Sequence, residues 1–397
     1  MAGIQAQRAL GRDVELLLAE ETAFDTLVTP VVGHSVKVMN YSVDVNDDRR
    51  VRQIARGNRA RHKRHPGLLL PDFSFSTELA PLAAGTPPDV GPALKAFFGD
   101  ETIVSSTSVT YGLAGDESAP TSLQALFVHR GVLQHYFGGS VVNQLSMQFP
   151  QNEDPSVEFS CLSKRLRRTG YTLLDGAASS DTTIDVDDTG YFEVGSVVQV
   201  GSTITRVTAI NSATSMTLAD AVSASDNAPV TPVTVWSDDP DDSGAGGEPI
   251  AHTDYTLDIS TDSLSDLDFV SASFEGTNNI QRINPAGKRE TTDFILGHAE
   301  LTGTLGFFGE RDRIDYLVRS GRLNNSQQFD DLSFTVTAGT AGAPGIVTVT
   351  VSEAEFDVGN ISVPDAGGDD FVTFEIPFYA VLTNPGGANR LWSVRYT

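Results

Sequence analysis

The sequence of 397 residues has one cysteine, five lysines, two tryptophans and no run of ~20 consecutive apolar residues. Each shortage excludes something. The lone Cys161 cannot form an internal disulfide, and its place in the alternating run Val157, Phe159, Cys161 predicts a packed thiol rather than a nucleophile. Without a long apolar run there is no membrane-spanning helix to expect. The N-terminus carries Arg8, Arg12, Asp13 and Glu15 where a signal peptide needs an apolar core, so a soluble chain, unprocessed at this end, is expected. Uninterrupted stretches of helix formers are also few. Val, Thr, Phe and Ser instead recur in short runs broken by 36 Gly and 19 Pro, which predicts a mainly β chain, and the length favours two or three cores.

Lysine is scarce and acid is not. The chain has 35 Asp and 17 Glu against 22 Arg and 5 Lys, for a net charge of −25. Such a surface repels polyanions and stays dispersed by self-repulsion. It fits an acidic proteome, such as that of a salt-adapted host, and equally a surface that nucleic acid must pass without sticking.

Against that background one basic run stands out. Arg49, Arg50, Arg52, Arg56, Arg59, Arg61, Lys63 and Arg64 lie in sixteen residues without an acid, with His62 and His65 at the end. Three readings stay open: an arm that docks on the acidic surface of a neighbouring copy, a solvated loop, or a nucleic-acid contact. The third is opposed by the lack of an aromatic residue for base stacking and by the charge of the rest of the chain.

Segment by segment, Leu10, Val14, Leu17 and Leu18 have helical spacing, and Val36 to Val45 reads as a strand pair. In the first core, Phe73, Phe75 and Thr77 alternate with polar residues as a strand. A helix with Val90, Leu94, Phe97 and Phe98 on one face follows, with Asp89 as cap and Gly99 as stop. Strands are predicted around Val109 and over Leu123–Val128, Val132–Phe137, Val141–Phe149 and Val157–Leu162, the hairpin turn falling at His129 to Gly131. Residues 170–236 read as a small inserted β domain, and the acid- and Gly-rich stretch 237–249 as a linker. Residues 250–397 repeat the order of the first core: a strand over His298–Leu305, a helix with Ile314, Leu317 and Val318 ending at Gly321, then strands over Leu332–Val336, Ile346–Val351 and Phe371–Val381.

Catalytic motifs fail for stated residues. Gly287-Lys288 lacks the upstream glycine of a phosphate loop, since Arg282 stands there. Asp44, Asn46 and Asp48 begin like a calcium loop, but Arg49 and Ala55 replace its Gly and Glu. His62 and His65 are flanked by Lys63 and Arg64, which oppose a cation. Paired acids such as Asp238-Asp239 and Asp369-Asp370 sit in loops that solvate them. No enzyme activity, cofactor or metal is expected.

The segment Phe73–Phe98 (FSFSTELAPLAAGTPPDVGPALKAFF) resembles the strand, loop and short helix of tailed-virus tail tube (major tail) proteins. Thr107–Tyr111 (TSVTY) is similar to the next strand there, and Ile346–Ala380 to the closing strands. The resemblance implies a tail-tube-like β-sandwich or barrel with short flanking helices, whose strands join those of neighbours around a channel. It implies a structural protein of the virion tail, assembled in the host cytoplasm, with itself, other tail proteins and passing viral DNA as partners. One tube domain per chain gives hexameric rings, whereas two in tandem give trimers of pseudo-sixfold shape. The expected division is 1–70 arm and basic loop, 71–169 first tube-like domain, 170–236 inserted β domain, 237–249 linker, and 250–397 second tube-like half. The alternative is a carbohydrate-binding or adhesive β-module, which would need exposed Trp or Tyr platforms.

Overall fold

The computed structural model describes residues 14–47, 67–113, 121–129, 133–234, 250–251, 255–259, 269–308, 332–340, 345–356, 360–362, 373–381 and 391–397. It is mainly β, with a single α-helix among the described residues. The spine is a long antiparallel pair, Leu133–Phe149 against Ser156–Thr169. The first of these is one strand of 17 residues where the sequence predicts two. Gly138 and Gly139 do not break it. At Gly138 a Cβ would press on the Tyr136 hydroxyl and the Asp25 carboxylate, and Gly139 adopts a left-handed φ of 58°.

That length lets the spine serve two groups of strands. Its first half pairs with Leu123–His129, which pairs in turn with Val14–Glu20 and through it with Ser35–Val36. Its second half pairs with Phe269–Thr277, followed by Glu300–Phe308, Thr373–Ala380 and Val347–Phe356. From Val347–Phe356 the sheet continues on one side to Leu332–Ala338 and Tyr255–Ile259, and on the other to Trp392–Tyr396, Ser108–Leu113 and Gly99–Val104. Ser156–Thr169 carries Leu69–Glu78 and then Asn40–Asp47. The curved sheets face each other in a sandwich-like arrangement around one main core, which runs in sequence from Leu16 to Tyr396. Phe73, Phe75, Phe127, Phe137 and Phe159 pack at one end of it, and Phe149, Phe274, Phe334 and Phe378 at the other.

The helix, Gly91–Phe98, plugs this core with Ala93, Leu94, Ala96, Phe97 and Phe98 all buried. Phe97 and Phe98 meet Trp392 at ring distances of 5.9 and 4.6 Å. Gly99 ends the helix as predicted, with φ 79° and its N–H bonded to the Lys95 carbonyl. The Asp89 cap does not form. Val90 holds the cap position and its apolar side chain has no acceptor to offer, while the Gly91 N–H turns back to the Pro88 carbonyl at 2.7 Å.

The largest correction is at the N-terminus. The predicted helix over Leu10 to Leu18 is, in its described part, the strand Val14–Glu20, and Leu10 lies outside the described residues. Leu16 and Leu18 face the main core while Leu17 packs on the other face with Leu126, Val128 and Tyr136. A strand buried on both faces reads as a continuous apolar run, which periodicity alone does not separate from a helix. The second predicted helix, with Ile314, Leu317 and Val318, lies outside the described residues.

Residues 172–231 build a separate six-stranded sheet. In spatial order its strands are Thr172–Leu173, Pro229–Thr231, Val197–Val200, Thr203–Ser212, Ser215–Ala224 and Ala178–Asp185. Its own core includes Ile184, Val186, Val200, Val207, Met216 and Val222. The unit is held to the spine by Gln134, which donates to the Val197 carbonyl at 3.3 Å and accepts from the Val233 N–H at 2.8 Å. Thr169 adds a bond to the same carbonyl at 2.9 Å, and Arg206 reaches the Tyr136 hydroxyl at 2.6 Å.

Candidate assembly surfaces

An exposed strand edge is a row of unpaired backbone donors and acceptors, and a protein either blunts it or uses it. Among the described residues, Asn40–Asp47 pairs only with Leu69–Glu78, and Gly99–Val104 only with Ser108–Leu113. Ile103 and Val104 stand about half exposed on the second of these edges, and Met39, 60% exposed, stands just before the first. Beside Met39, a cavity of about 220 Å³ is lined by Val36, Val38, Ala80, Pro88 and Val90, with Lys37, Glu78 and Asp89 at its polar side. Burial raises the Asp89 carboxyl above its ordinary range, and Lys37 partly offsets that.

Polar networks keep these surfaces in register with the core. Arg282 bonds to the Ser163 carbonyl at 2.7 Å, Thr291 Oγ1 at 3.1 Å, the Pro71 carbonyl at 3.0 Å and the Asp72 carboxylate, and its guanidinium lies over the Phe294 ring. Glu21, 5% exposed, accepts the N–H groups of Gly139 at 2.8 Å and Asp25 at 2.6 Å. Burial raises its carboxyl pKa in spite of those bonds. Asp25 in turn pairs with Lys164 at 2.9 Å and with Arg165.

His135 on the spine and His129 on the neighbouring strand stack edge to face at 5.8 Å, and the Tyr41 hydroxyl lies 3.5 Å from His129 Nε2. Burial, then the Arg168 and His129 charges, push the His135 imidazole down to about 4. The folded state therefore holds it neutral, while the unfolded chain takes up a proton near pH 6.5. Its contribution is complete above pH 6.5 and is lost as the pH falls toward 4. Allowing for partial exposure, the loss is about 1–2 kcal/mol. The raised pKa of Glu21 acts in the opposite sense. Denaturant titrations at pH 7 and pH 4.5 are expected to show a smaller drop for His135→Gln than for the unsubstituted chain; an equal drop would contradict this assignment.

The structure speaks unevenly to the residues singled out in the sequence. The basic run Arg49, Arg50, Arg52, Arg56, Arg59, Arg61, Lys63 and Arg64 lies outside the described residues, as do His62, His65 and the paired acids at 238–239 and 369–370. Asp44 and Asn46 belong to the straight strand Asn40–Asp47 and so do not start a calcium loop. Cys161 is buried, and desolvation drives its thiol far above its ordinary pKa, so its thiolate is suppressed. Among the described residues no group of three or more His, Cys, Asp or Glu could hold a metal. Trp392 is a core residue and offers no sugar platform. A second cationic group was not apparent in the sequence as a surface: Lys164, Arg165, Arg167 and Arg168 on the spine with Arg282 and Arg289 across from it. Its one sequence signal is the run KRLRR at 164–168.

Among the described residues, then, the chain is a mainly β subunit with strand edges left unpaired and with buried polar clamps between its strands. A family model of phage tail tube proteins matches residues 11–218, more than half of the chain. The chain belongs to that family. It is a structural protein of the virion tail, one that associates with its own copies and with other tail proteins. No curated protein matches it.

Proposed function

We propose that the chain polymerises as stacked rings into the conduit that delivers viral DNA, with an acidic lumen that lets the DNA pass without specific binding. The observation that carries this reading is that two strands, Asn40–Asp47 and Gly99–Val104, each keep one edge unpaired among the described residues, on a subunit of the tail tube family. Strands of neighbouring copies close those edges, and the sheets become a continuous barrel around the channel. Duplex DNA carries one negative charge per ~1.7 Å of axis, so a basic wall would hold it and an acidic wall keeps transit weakly interacting. The net charge of −25 supports the acidic wall.

In this reading the run Arg49 to Arg64 is an arm on a neighbouring copy. The 71–169 and 250–397 regions are two tube-like halves of repeated layout, with the 170–236 domain inserted between them and 237–249 as linker. The ring is then six copies, or three copies of pseudo-sixfold shape, and assembly takes place in the host cytoplasm. Negative-stain microscopy of the purified chain is expected to show rings or tubes. A monomer at all concentrations, or one that binds immobilised oligosaccharide, would favour the adhesive alternative. Three-dimensional reconstruction of the tube is expected to place carboxylates on the inner wall, and an arginine-lined wall would overturn that part.

A further inference from the structure

A cleft of about 550 Å³ opens where the inserted six-stranded unit meets the main sheet. Three of the seven arginines among the described residues line it: Arg167, Arg168 and Arg289. Two of them are fixed. Arg167 donates to the Val194 carbonyl at 2.8 Å and to Glu290 at 2.5 Å, and Arg289 reaches Asp47 at 3.3 Å. Arg168 is exposed, and while its carbonyl accepts from the Ser196 hydroxyl at 2.8 Å, its guanidinium has no hydrogen bond or ion pair among the described residues. Beside it the insert contributes Val194, 52% exposed, and the exposed Glu193, while Glu290 on the other wall is taken by Arg167. Neither unit needs to move to form the cleft, because the Val197 carbonyl, held by Gln134 and Thr169, ties the insert to the spine.

Arginines set among Val45, Leu69, Leu166 and Val194 around a preformed hollow have the composition of a protein–protein contact centre. The chemistry of the occupant follows from charge. A chain with 52 acids and 27 basic residues offers carboxylates over most of its surface, while an unpaired arginine here offers their complement. We infer that this cleft is an intersubunit socket which takes an acidic surface of a second copy of the chain, with Arg168 as its anchor. Such a contact joins two different patches, so it is heterologous, and heterologous contacts propagate into rings or filaments where a self-complementary patch would stop at a dimer. The inference rests on the tube reading above and names one of its contacts.

The test compares assembly by the full chain and three variants, each first checked for an unchanged thermal melt. Arg168→Glu is expected to reduce sedimentable assemblies at least tenfold. Arg395→Glu, the same charge change on an exposed position of the Trp392–Tyr396 strand, is expected to leave them unchanged. Arg168→Lys is expected to assemble and, in a mixture of isotope-labelled and unlabelled copies treated with carbodiimide, to join its new amine to an Asp or Glu of another copy. Full assembly by Arg168→Glu, equal loss in Arg395→Glu, or cross-links confined to one copy would each overturn the socket while leaving the tube. An unsubstituted chain that never assembles would overturn both.

Discussion

Gly303→Ala is expected to destabilise the subunit by about 3 kcal/mol, the upper end of overpacking costs, and to reduce assembly through loss of the fold. Gly303 lies in the Glu300–Phe308 strand, opposite Phe274 on one side and Phe378 on the other. A Cβ there would overlap the Ser273 carbonyl and come within 2.5 Å of the Phe378 ring. The carbonyl belongs to the neighbouring strand and cannot swing aside. Phe378 is fully buried against Phe274 and Phe334, at ring distances of 5.7 and 4.9 Å, so it has no free volume to enter. Gly306→Ala is the control, since its nearest obstacle is the Ser271 hydroxyl, a movable side-chain end. Chemical denaturation of both variants decides the matter, and equal midpoints would refute the packing argument.

Arg282→Met is expected to cost about 3 kcal/mol, the second large effect. The guanidinium binds two backbone carbonyls, one hydroxyl and one carboxylate drawn from three segments distant in sequence. Methionine keeps much of the apolar stem over Phe294 but leaves the Ser163 and Pro71 carbonyls without that donor. It also leaves Asp72, whose pKa burial already raises, without its cation. The variant is therefore expected to lose less stability at pH 4 than at pH 7, because protonated Asp72 no longer needs the charge. A pH-independent loss would show that packing rather than the ion pair dominates.

These residues mark where sequence reading works and where it ends. Leu69–Glu78 was legible because Phe73, Phe75 and Thr77 bury one face and leave the other half exposed, a pattern with period two. The helix end at Gly99 was legible because a left-handed residue after an apolar turn is a local requirement. Val14–Glu20 was not, since burial on both faces erases the period. The role of Arg282 was not legible either: its partners at Pro71 and Ser163 are more than a hundred positions away in the chain. The KRLRR run at 164–168 gives no hint that Arg165 is spent on Asp25, Arg167 on Glu290, and only Arg168 is left over.

By itself the amino-acid sequence determined the class of the protein: a β chain with a strongly negative surface, no disulfide, no phosphate loop, and short motifs that resemble tail tube proteins. Those properties depend on composition and on neighbours within a few residues, where alternation, turn residues and charge act directly. Only the tertiary structure decided that the two predicted strands after Val132 are a single spine serving two groups of strands and, among the described residues, which edges stay unpaired and which arginines have a carboxylate already. Each of those outcomes is a competition between distant groups for the same backbone donors, the same buried volume or the same charge, and such a competition is resolved only when the chain has closed on itself.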